Sequence, residues 1–275
     1  MTWVYLDGEY VPATEARVAT GDAALLHGRG LFETLRARRG AVYLLDRHID
    51  RLEAGAQVLA IAVPPAVEGL EAIVRELAER QCLEDARVRL TLTAGSESEP
   101  SVLFVQARAV TDYPERLYEK GLSAHVASVR RNETSPLARV KSLSCLDNLL
   151  AKEKARASGV DDAILLNTRE LLAEGSTSNL FLIRAGRLLT PRVADGALPG
   201  ITRGAVMELA DAAGFGIREL SLTMDDLRHA DEAFLTNSVG GVMPLVLVDG
   251  SAVGGGSPGE VTGRLRTLYE AAATA

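Results

Sequence analysis

Cysteine, aromatic residues and long apolar runs are all scarce in this chain of 275 residues. Its two cysteines, Cys82 and Cys145, are too few for a disulfide framework or a cysteine-bound metal cluster. Aromatic residues make up 4% of the chain, beside 47% hydrophobic and 24% charged residues, a composition typical of a folded globular protein. The longest apolar runs, such as the one before Pro64, fall short of the ~18 to 20 residues that span a membrane. We therefore expect neither a disulfide-stabilised scaffold nor a membrane span.

Charge of one sign is not concentrated anywhere along the chain. The net charge is −7, and acidic and basic residues are mixed without long runs, which argues against a nucleic-acid or membrane surface. The N-terminal ten residues lack the basic and apolar segments of a signal peptide. We therefore expect a cytoplasmic protein whose partners are small molecules, with no nucleic acid and no membrane.

The sequence also lacks the patterns of three common kinds of site: a metal site, a serine hydrolase site and a dinucleotide-binding motif. The four histidines are scattered, without a ligand spacing such as H-x-x-x-H, so no metal site is predicted. Residues 255–259 read GGSPG and match the G-x-S-x-G pattern of serine hydrolases, but no histidine follows Ser257, as that fold requires. The same glycines do not form a dinucleotide-binding motif, since no βαβ unit with a ribose-binding acid follows.

The first half of the chain alternates between strand and helix patterns. Asp7 and Gly8, between two short apolar runs, predict a two-residue hairpin turn. A helix capped by Asp46 is predicted next, with His48 and Arg51 towards its side. A second helix and three strands are then predicted at about 67–81, 86–94, 101–110 and 122–131.

The segment TDYPERLYEKG interrupts the strand pattern and predicts a domain boundary. We expect a small N-terminal α+β domain at 1–113, an interdomain linker at 114–121 and a larger C-terminal domain at 122–275. In the second domain, Ser144 or Asp147 is predicted to start a helix. The inward face of that helix is predicted to comprise Leu146, Leu149, Leu150 and Ala157.

One lysine, one carboxylate and one helix start follow each other in a fixed order: Lys141, Glu174 and Thr202. Each has an ordinary structural interpretation, as a solvated charge, a turn residue or a helix cap. Together they are what pyridoxal phosphate (PLP) requires: an amine to hold its aldehyde as a Schiff base, an acid opposite its ring nitrogen and a phosphate cradle. The helix start at Thr202 and the glycine-rich turn at Ser238 are the candidate anion sites.

Three motifs in this stretch resemble the signature of the class IV aminotransferases in residue type and spacing: EGSTSNLF, LLT and LPGITR. The resemblance extends over nearly the whole chain. It implies PLP fold type IV, an α/β (α+β) architecture of two α/β domains with the cofactor between them. It also implies a homodimer, because the loop at Arg29 tends to reach across a subunit interface in this family.

The resemblance assigns roles to individual residues. Lys141 matches the lysine that binds the cofactor covalently and moves the proton from the substrate, and Glu174 matches the acid that contacts the ring nitrogen. Arg51, in the HIDRL segment, matches the arginine that holds the phosphate. The other phosphate contacts that the resemblance implies are Ile201, Thr202 and Ser238.

The chain departs from the family at positions that bind substrate. Leu146 replaces a tyrosine of the branched-chain enzymes, and Phe32 replaces a tyrosine of the D-amino-acid enzymes. Residues 95–100, GSESEP, replace an arginine and histidine pair of the D-amino-acid enzymes. We therefore predict that Arg29 and Arg89 bind the substrate carboxylates instead. The remaining predicted substrate contacts are Thr34 and Val239.

Three activities remain compatible with the sequence. FET at 32–34, ARVRL at 86–90 and TNS at 236–238 look like the 4-amino-4-deoxychorismate lyases, which release 4-aminobenzoate and pyruvate. KSLSCLDNLLAK and EGSTSN look more like the D-amino-acid transaminases, and acids at 95–100 would repel a dianionic substrate. The main prediction is therefore a PLP-dependent ping-pong transaminase that prefers D-amino acids. The lyase is the second alternative, a branched-chain L-amino-acid aminotransferase the third, and a PLP-free binding protein on the same fold the non-enzyme alternative.

Overall fold

The computed structural model describes residues 2–111 and 113–274. The chain divides into two compact units: unit 1 comprises Met1–Thr111 and Val140–Cys145, and unit 2 comprises Asp112–Arg139 and Leu146–Ala275. Val140–Cys145, which carries the predicted reactive lysine, thus groups with the N-terminal part of the chain. The sequence-based division into 1–113, 114–121 and 122–275 stays a prediction.

Unit 1 is built on a six-stranded antiparallel sheet with the strand order β2-β1-β6-β5-β3-β4. Its helices and strands are β1 (Trp3–Leu6), β2 (Glu9–Pro12), α1 (Ala23–His27), β3 (Gly30–Arg38), β4 (Ala41–Val42), α2 (Leu45–Leu59), α3 (Leu70–Arg80), β5 (Asp85–Thr93) and β6 (Leu103–Ala109), with a 3₁₀ turn at Pro65–Gly69 before α3.

The hairpin predicted at the start of the chain is present, and the geometry of its turn explains why Asp7 and Gly8 occupy it. Asp7 and Gly8 adopt positive φ angles of 46° and 102° between β1 and β2. A two-residue turn with positive φ at both positions matches the right-handed twist of the strands that it joins, which favours Asp-Gly.

One face of the sheet in unit 1 is covered by α2 and α3 and forms a hydrophobic core. Strand β3 alternates strictly, so that its odd-numbered residues from Leu31 to Ala37 are buried in this core. Helix α2 begins at Leu45 after Leu44, which has a positive φ and provides no side-chain cap. The prediction that Asp46 caps this helix was therefore wrong, because Asp46 lies within its first turn.

The first residues of β3 lie beyond the reach of the short strand β4, and Val140–Cys145 pairs with them. The Phe32 N–H donates to the Lys141 carbonyl at 3.0 Å, and the Leu143 N–H donates to the Gly30 carbonyl at 2.9 Å. Leu31 and Ser142 form an antiparallel bridge. These bonds fix the backbone of Lys141 at the edge of the sheet.

Unit 2 contains a nine-stranded mixed sheet with the order β12-β11-β10-β13-β14-β7-β8-β9, and β15 pairs with β14. Strands β8 and β9 form one antiparallel hairpin of this sheet, and β10 and β11 form another. Its helices and strands are α4 (Arg116–Lys120), β7 (Leu122–Arg131), α5 (Leu146–Ala157), β8 (Asp162–Asn167), β9 (Leu172–Gly175), β10 (Asn179–Arg184), β11 (Arg187–Pro191), α6 (Ile201–Ala212), β12 (Ile217–Leu220), α7 (Met224–Arg228), β13 (Glu232–Asn237), β14 (Gly241–Val248), β15 (Ser251–Ala252) and α8 (Glu260–Ala272), with 3₁₀ turns at Pro136–Arg139 and Val193–Asp195.

Helix α5 faces the opposite way from the prediction. Ala151 and Ala155 are its buried residues, and they pack with β7 and β8. The three leucines predicted to point inward are instead exposed, with 64% exposure at Leu146, 45% at Leu149 and 48% at Leu150. Small alanines face the sheet because they let the helix approach it closely, which leaves an apolar leucine face uncovered.

No helix in the part of the chain that the structure describes combines the length and the apolar character needed to cross a membrane.

Candidate active site

Arg51 and His48, one turn apart on α2, both bind the carboxylate of Glu33 on β3. Nε of Arg51 donates to Oε1 of Glu33 at 2.8 Å, and Nη2 donates to Oε2 at 2.6 Å. Nδ1 of His48 lies 2.8 Å from Oε2 of Glu33. The Arg51 side chain is 11% exposed and the Glu33 side chain 2%. This two-point pairing fixes the plane of the guanidinium that is predicted to hold the cofactor phosphate.

The charges in this cluster are set by burial and by the short contacts. Burial by itself would raise the pKa of Glu33, but the charge of Arg51 and the hydrogen bonds from His48 and Arg51 outweigh it and lower that pKa to about 2. Burial lowers the pKa of His48 below its usual value, against the opposing effect of Glu33. At neutral pH the cluster therefore contains one anion, Glu33, one cation, Arg51, and a neutral imidazole.

The role of Glu33 was not predicted from the sequence. The signal that could have indicated it is the position of an acid among the core-facing residues of β3. It occupies a core position in the alternation of β3, between Leu31 and Leu35. A carboxylate can be buried there only if charged or hydrogen-bonding partners meet it, and Arg51 and His48 provide them. The expectation that His48 and Arg51 lie towards the side of the helix was wrong for this reason, since both turn towards the sheet.

Lys141 and Arg89 flank the same aromatic ring on the opposite face of this sheet. Nζ of Lys141 lies 4.5 Å from the centroid of the Phe32 ring, and Cζ of Arg89 lies 4.0 Å from it. Burial lowers the pKa of Arg89; Cys145 opposes this shift, and the neighbouring charge of Arg87, a smaller effect, lowers the pKa further. Two of the predicted site residues, the lysine and one substrate arginine, are thus brought together around Phe32.

The other substrate contacts predicted in unit 1 have different surroundings. Arg29 is exposed, and its guanidinium donates to the carbonyls of Leu59 and Ala60 at 2.9 to 3.1 Å, where it caps the C-terminal end of α2. Thr34 lies directly opposite Arg89 in the β3–β5 register. The substrate-binding roles of both residues stay predictions.

Glu174, at the end of β9 in unit 2, is buried and tied to three partners. Oε1 of Glu174 lies 3.1 Å from Nε of Arg131, and Nδ2 of Asn148 lies 3.5 Å from the same oxygen. Oε2 accepts a hydrogen bond from the Leu198 N–H at 2.9 Å. The carboxylate thus lies against a cation and two donors in a fixed orientation, as an acid facing a protonated pyridine nitrogen would require.

The turn that follows Glu174 is fixed by a second buried carboxylate. Asp162 on β8 accepts hydrogen bonds from the hydroxyls of Ser176 and Ser178. The Ser176 carbonyl in turn accepts a hydrogen bond from Nδ2 of Asn148 at 3.0 Å. The serines of the EGSTSN motif therefore hold the loop in which Glu174 is anchored.

Helix α6 provides the predicted anion site in unit 2. Its N-cap residue, Gly200, provides no side-chain cap, and a Cβ at that position would overlap with Oδ1 of Asn179. Thr202 is buried in the first turn, with its Oγ1 3.4 Å from the hydroxyl of Tyr269. On β13, the buried Oγ1 of Thr236 has no hydrogen-bond partner among the residues described. A helix N-terminus beside an unsatisfied hydroxyl fits a phosphate group.

The turn at Ser238 differs from the expectation of exposed N–H groups. Oδ1 of Asn237 accepts hydrogen bonds from the N–H groups of Val239 and Gly240, at 3.1 and 2.8 Å. Val239 is buried and Ser238 half-buried. Asn237, the middle residue of the TNS motif, thus shapes the loop that carries two predicted site residues.

The donor set fits PLP better than a metal. In residues 2–111 and 113–274, no group of three or more histidine, cysteine or acidic side chains could hold a metal ion. Unit 1 contains an amine and an oriented guanidinium, and unit 2 contains a buried carboxylate and a helix N-terminus. These are the groups that a pyridine aldehyde with a phosphate arm requires.

Comparisons with known proteins identify the family. Residues 30–248 match the family model described as amino-transferase class IV. The chain is 35% identical to the "Putative branched-chain-amino-acid aminotransferase" of Methanocaldococcus jannaschii, over 97% of this chain and 95% of that one. It is 30% identical to the D-alanine aminotransferase of Bacillus licheniformis, over 97% and 95%. The crystal structure of the T.th. branched-chain amino acid aminotransferase with pyridoxamine 5'-phosphate superimposes with a TM-score of 0.91 at 30% identity, over 99% of this chain and 94% of that one. The chain therefore belongs to the class IV aminotransferases, the PLP-dependent enzymes of fold type IV.

Proposed function

We propose that this enzyme transfers the amino group of branched-chain L-amino acids to a 2-oxo acid. The observation that carries the proposal is the 35% identity, over nearly the full length of both chains, to a protein named as a branched-chain enzyme. The T.th. structure, with its TM-score of 0.91, supports the same substrate class. This activity was the third alternative from the sequence alone.

A preference for D-amino acids is the second candidate. The 30% identity to a D-alanine aminotransferase over 97% of this chain favours it. Leu146 also favours it, because the tyrosine of the branched-chain enzymes is absent there. The lyase reaction remains the third candidate, on the motifs at 32–34 and 86–90.

The proposed roles follow from the contacts in each unit. When bound, PLP supplies the electron sink for the bond that breaks at the substrate Cα. Lys141 is the base that would take the proton from the substrate Cα and deliver it to the C4′ carbon of the cofactor, with its amine positioned against the Phe32 ring at 4.5 Å. Glu174, paired with Arg131, keeps a negative charge beside the pyridine nitrogen.

One of the proposed phosphate contacts, Arg51, is already oriented before a ligand binds. Glu33 fixes the orientation of Arg51, so binding does not have to restrict the rotation of that long side chain. Ile201 and Thr202 lie at the start of α6, and Ser238 lies in the turn before β14.

In a ping-pong cycle the same residues serve both half-reactions, because the 2-oxo acid formed from the amino donor leaves before the acceptor 2-oxo acid binds.

The decisive experiment compares amino donors on the purified holoenzyme. L-Leucine, L-valine, D-alanine and D-glutamate are each supplied with 2-oxoglutarate, and kcat/KM is measured, with release of 4-aminobenzoate from 4-amino-4-deoxychorismate assayed in parallel. We expect the highest kcat/KM with the branched-chain L-amino acids. A higher value with the D-amino acids would establish the second candidate, and 4-aminobenzoate release without amino transfer would establish the third.

Replacing Glu174 with glutamine should slow turnover and leave the cofactor bound. The amide keeps the size of the side chain but loses the charge that pairs with Arg131, so kcat should fall by roughly 10² to 10⁴-fold. Stopped-flow measurement of the half-reaction with L-leucine tests this. Glu153, an exposed glutamate on α5, gives the matched control, since Glu153→Gln should leave kcat unchanged. An unchanged rate in Glu174→Gln would contradict the role.

We also propose that the enzyme is a homodimer. The exposed leucine face of α5, formed by Leu146, Leu149 and Leu150, is the feature of unit 2 that supports it. Leu25 and Leu26 of α1 in unit 1 are exposed as well, at 65% and 58%. Sedimentation equilibrium distinguishes a dimer from the 29.3 kDa chain, and a monomer at micromolar concentration would reject the proposal.

A further inference from the structure

Residues 192–200, which we call the connecting segment, link β11 to the start of α6 and contact Glu174 on the way. The Leu198 N–H donates to Oε2 of Glu174 at 2.9 Å. The Gly196 carbonyl accepts a hydrogen bond from Nε of Arg131 at 3.3 Å, and the same nitrogen lies 3.1 Å from Oε1 of Glu174. The connecting segment therefore acts on both oxygens of Glu174, directly on one and through Arg131 on the other.

Asp195 fixes the connecting segment through a buried carboxylate, whose side chain is 1% exposed. Oδ1 accepts a hydrogen bond from Nη2 of Arg169 at 2.6 Å, and Oδ2 accepts one from the hydroxyl of Ser221 at 2.7 Å. Nε of Arg192 lies 3.3 Å from Oδ2. The Asp195 carbonyl accepts a hydrogen bond from Nδ2 of Asn167 at 3.0 Å. One residue thus ties the connecting segment to the β8–β9 turn and to the residue that follows β12.

The negative charge of Asp195 is needed for these contacts. Its carboxylate accepts from two arginines and one hydroxyl, which all act as donors. An asparagine of the same size would present one oxygen, and its NH₂ group would face the donors on the other side. The turn at Val193–Asp195 would then shift, and Gly196 and Leu198 would shift with it.

Such a shift reaches Glu174 because the intervening contacts are close. Gly196 has a φ of 102°, and a Cβ at that position would lie 3.4 Å from Cβ of Arg131. Nη2 of Arg131 donates to the Ala138 carbonyl at 2.8 Å, so the arginine is already fixed on its other side. Glu174 is buried, and in a buried site the loss of a hydrogen bond is not made up by water.

We propose that Asp195 is a positioning residue for Glu174, on which it acts through the connecting segment and Arg131. When Asp195 is charged, Glu174 keeps the orientation in which its carboxylate stabilises a proton on the ring nitrogen of the cofactor. Without that charge the carboxylate is less well placed, and the nitrogen holds its proton less firmly. This inference rests on the proposed role of Glu174 and names the residue that maintains its geometry.

The protonation of the ring nitrogen can be measured on the holoenzyme reconstituted with PLP that carries nitrogen-15 in its ring. In Asp195→Asn the nitrogen-15 resonance should move towards the position of unprotonated pyridine, in the same direction as in Glu174→Gln. The kcat with L-leucine should fall by roughly 5 to 10-fold, and KM should change less than about 2-fold. The variant should fold, because Arg169 and Arg192 are 55% and 49% exposed and neither becomes a buried unpaired charge.

Glu133→Gln is the matched control for a general loss of stability. Glu133 is a second buried acid beside Arg169, at 3.2 Å, and its other hydrogen bonds hold Thr168 in the β8–β9 turn. Glu133→Gln should lower the resistance to urea, as Asp195→Asn does, and should leave the nitrogen-15 resonance and kcat as in the wild type. Arg169→Ala removes one partner of Asp195 from an exposed position, and should move the resonance in the same direction as Asp195→Asn by a smaller amount.

Three results would overturn the proposal while leaving the role of Glu174 intact, provided that Glu174→Gln moves the resonance. The first is an unmoved resonance in Asp195→Asn. The second is an equal movement in Glu133→Gln, which would mean that any loosening of this region has the same effect. If Asp195→Asn did not fold, the third would be an unmoved resonance in Arg169→Ala. A resonance that stays in place in Glu174→Gln itself would reject the proposed role of Glu174, and this inference with it.

Discussion

Replacing Lys141 with alanine should abolish amino transfer, with kcat falling at least ~10³-fold. The two functions proposed for Lys141 would be lost together: the covalent attachment of the cofactor and the proton transfer at the substrate Cα. Val140–Cys145 should keep its place, because it is held by backbone bonds and by the packing of Val140, not by the lysine side chain. Steady-state kinetics with L-leucine, together with the absorption spectrum before and after borohydride treatment, measure both losses.

Lys154, an exposed lysine on α5, provides the matched control. Lys154→Ala should keep the wild-type rate and the borohydride-sensitive band. If Lys141→Ala retained either property, another amine would have to hold the cofactor and the assignment of Lys141 would fail.

Replacing Glu33 with glutamine should cause the largest loss of stability among single changes at the site, about 3 kcal/mol of unfolding free energy. Arg51 would then lose the charge of the buried carboxylate that it contacts at 2.6 Å, and removal of one member of a buried ion pair typically costs this much. Because Glu33 would no longer fix its orientation through two charged contacts, the Arg51 guanidinium should also hold the cofactor phosphate, in its proposed role, less tightly. Urea unfolding of the apoenzyme and a PLP titration measure the two effects.

The same cluster predicts a defined sensitivity to acid. The pKa of Glu33 lies at about 2 in the folded protein, below its ordinary value of 4.5, so its charged form favours folding. That contribution, roughly 3 kcal/mol from the shift, is complete above about pH 4.5 and is lost as the pH falls towards 2. His48, with its pKa also lowered, adds a loss of stability that begins as the pH falls below 6.5. Glu33→Gln should show a flatter decline of stability below pH 4.5.

Glu53, an exposed glutamate on α2, is the control for both measurements. Glu53→Gln should change the unfolding free energy by less than about 0.5 kcal/mol and should leave the pH dependence as in the wild type. A Glu33→Gln variant as stable as the wild type would show that Arg51 does not depend on this carboxylate.

Local patterns predicted some elements of this fold well, where a turn or a helix start has a clear sequence signal, although the cap predicted at Asp46 was wrong. Asp7 and Gly8 predicted the first hairpin, and the helix start predicted at Thr202 lies one residue from the observed start of α6 at Ile201. The family motifs then indicated fold type IV, and the comparisons confirmed it. The motifs alone made the branched-chain activity the third alternative, because single substitutions such as Leu146 cannot be weighed without relatives.

The sequence patterns could not predict which residues far apart in the chain contact each other. Glu33 meets Arg51 and His48 through the packing of a helix on a strand, and no local signal states which side of that helix faces the sheet. On α5 the prediction failed for a related reason. Hydrophobic spacing marks Leu146, Leu149 and Leu150 as apolar, but it does not say whether an apolar face is covered by the same chain.

The pairing of Val140–Cys145 with β3 has a consequence for biosynthesis. About 110 residues separate Leu31 from its bridge partner Ser142, so this contact closes a long loop and is slow to form. While the ribosome is still adding the intervening segment, the N–H and C=O groups at this edge of β3 lack their partners in Val140–Cys145. Other nascent chains can pair with such an exposed strand edge. Expression that stalls before codon 145 should therefore yield aggregates in place of a soluble N-terminal fragment.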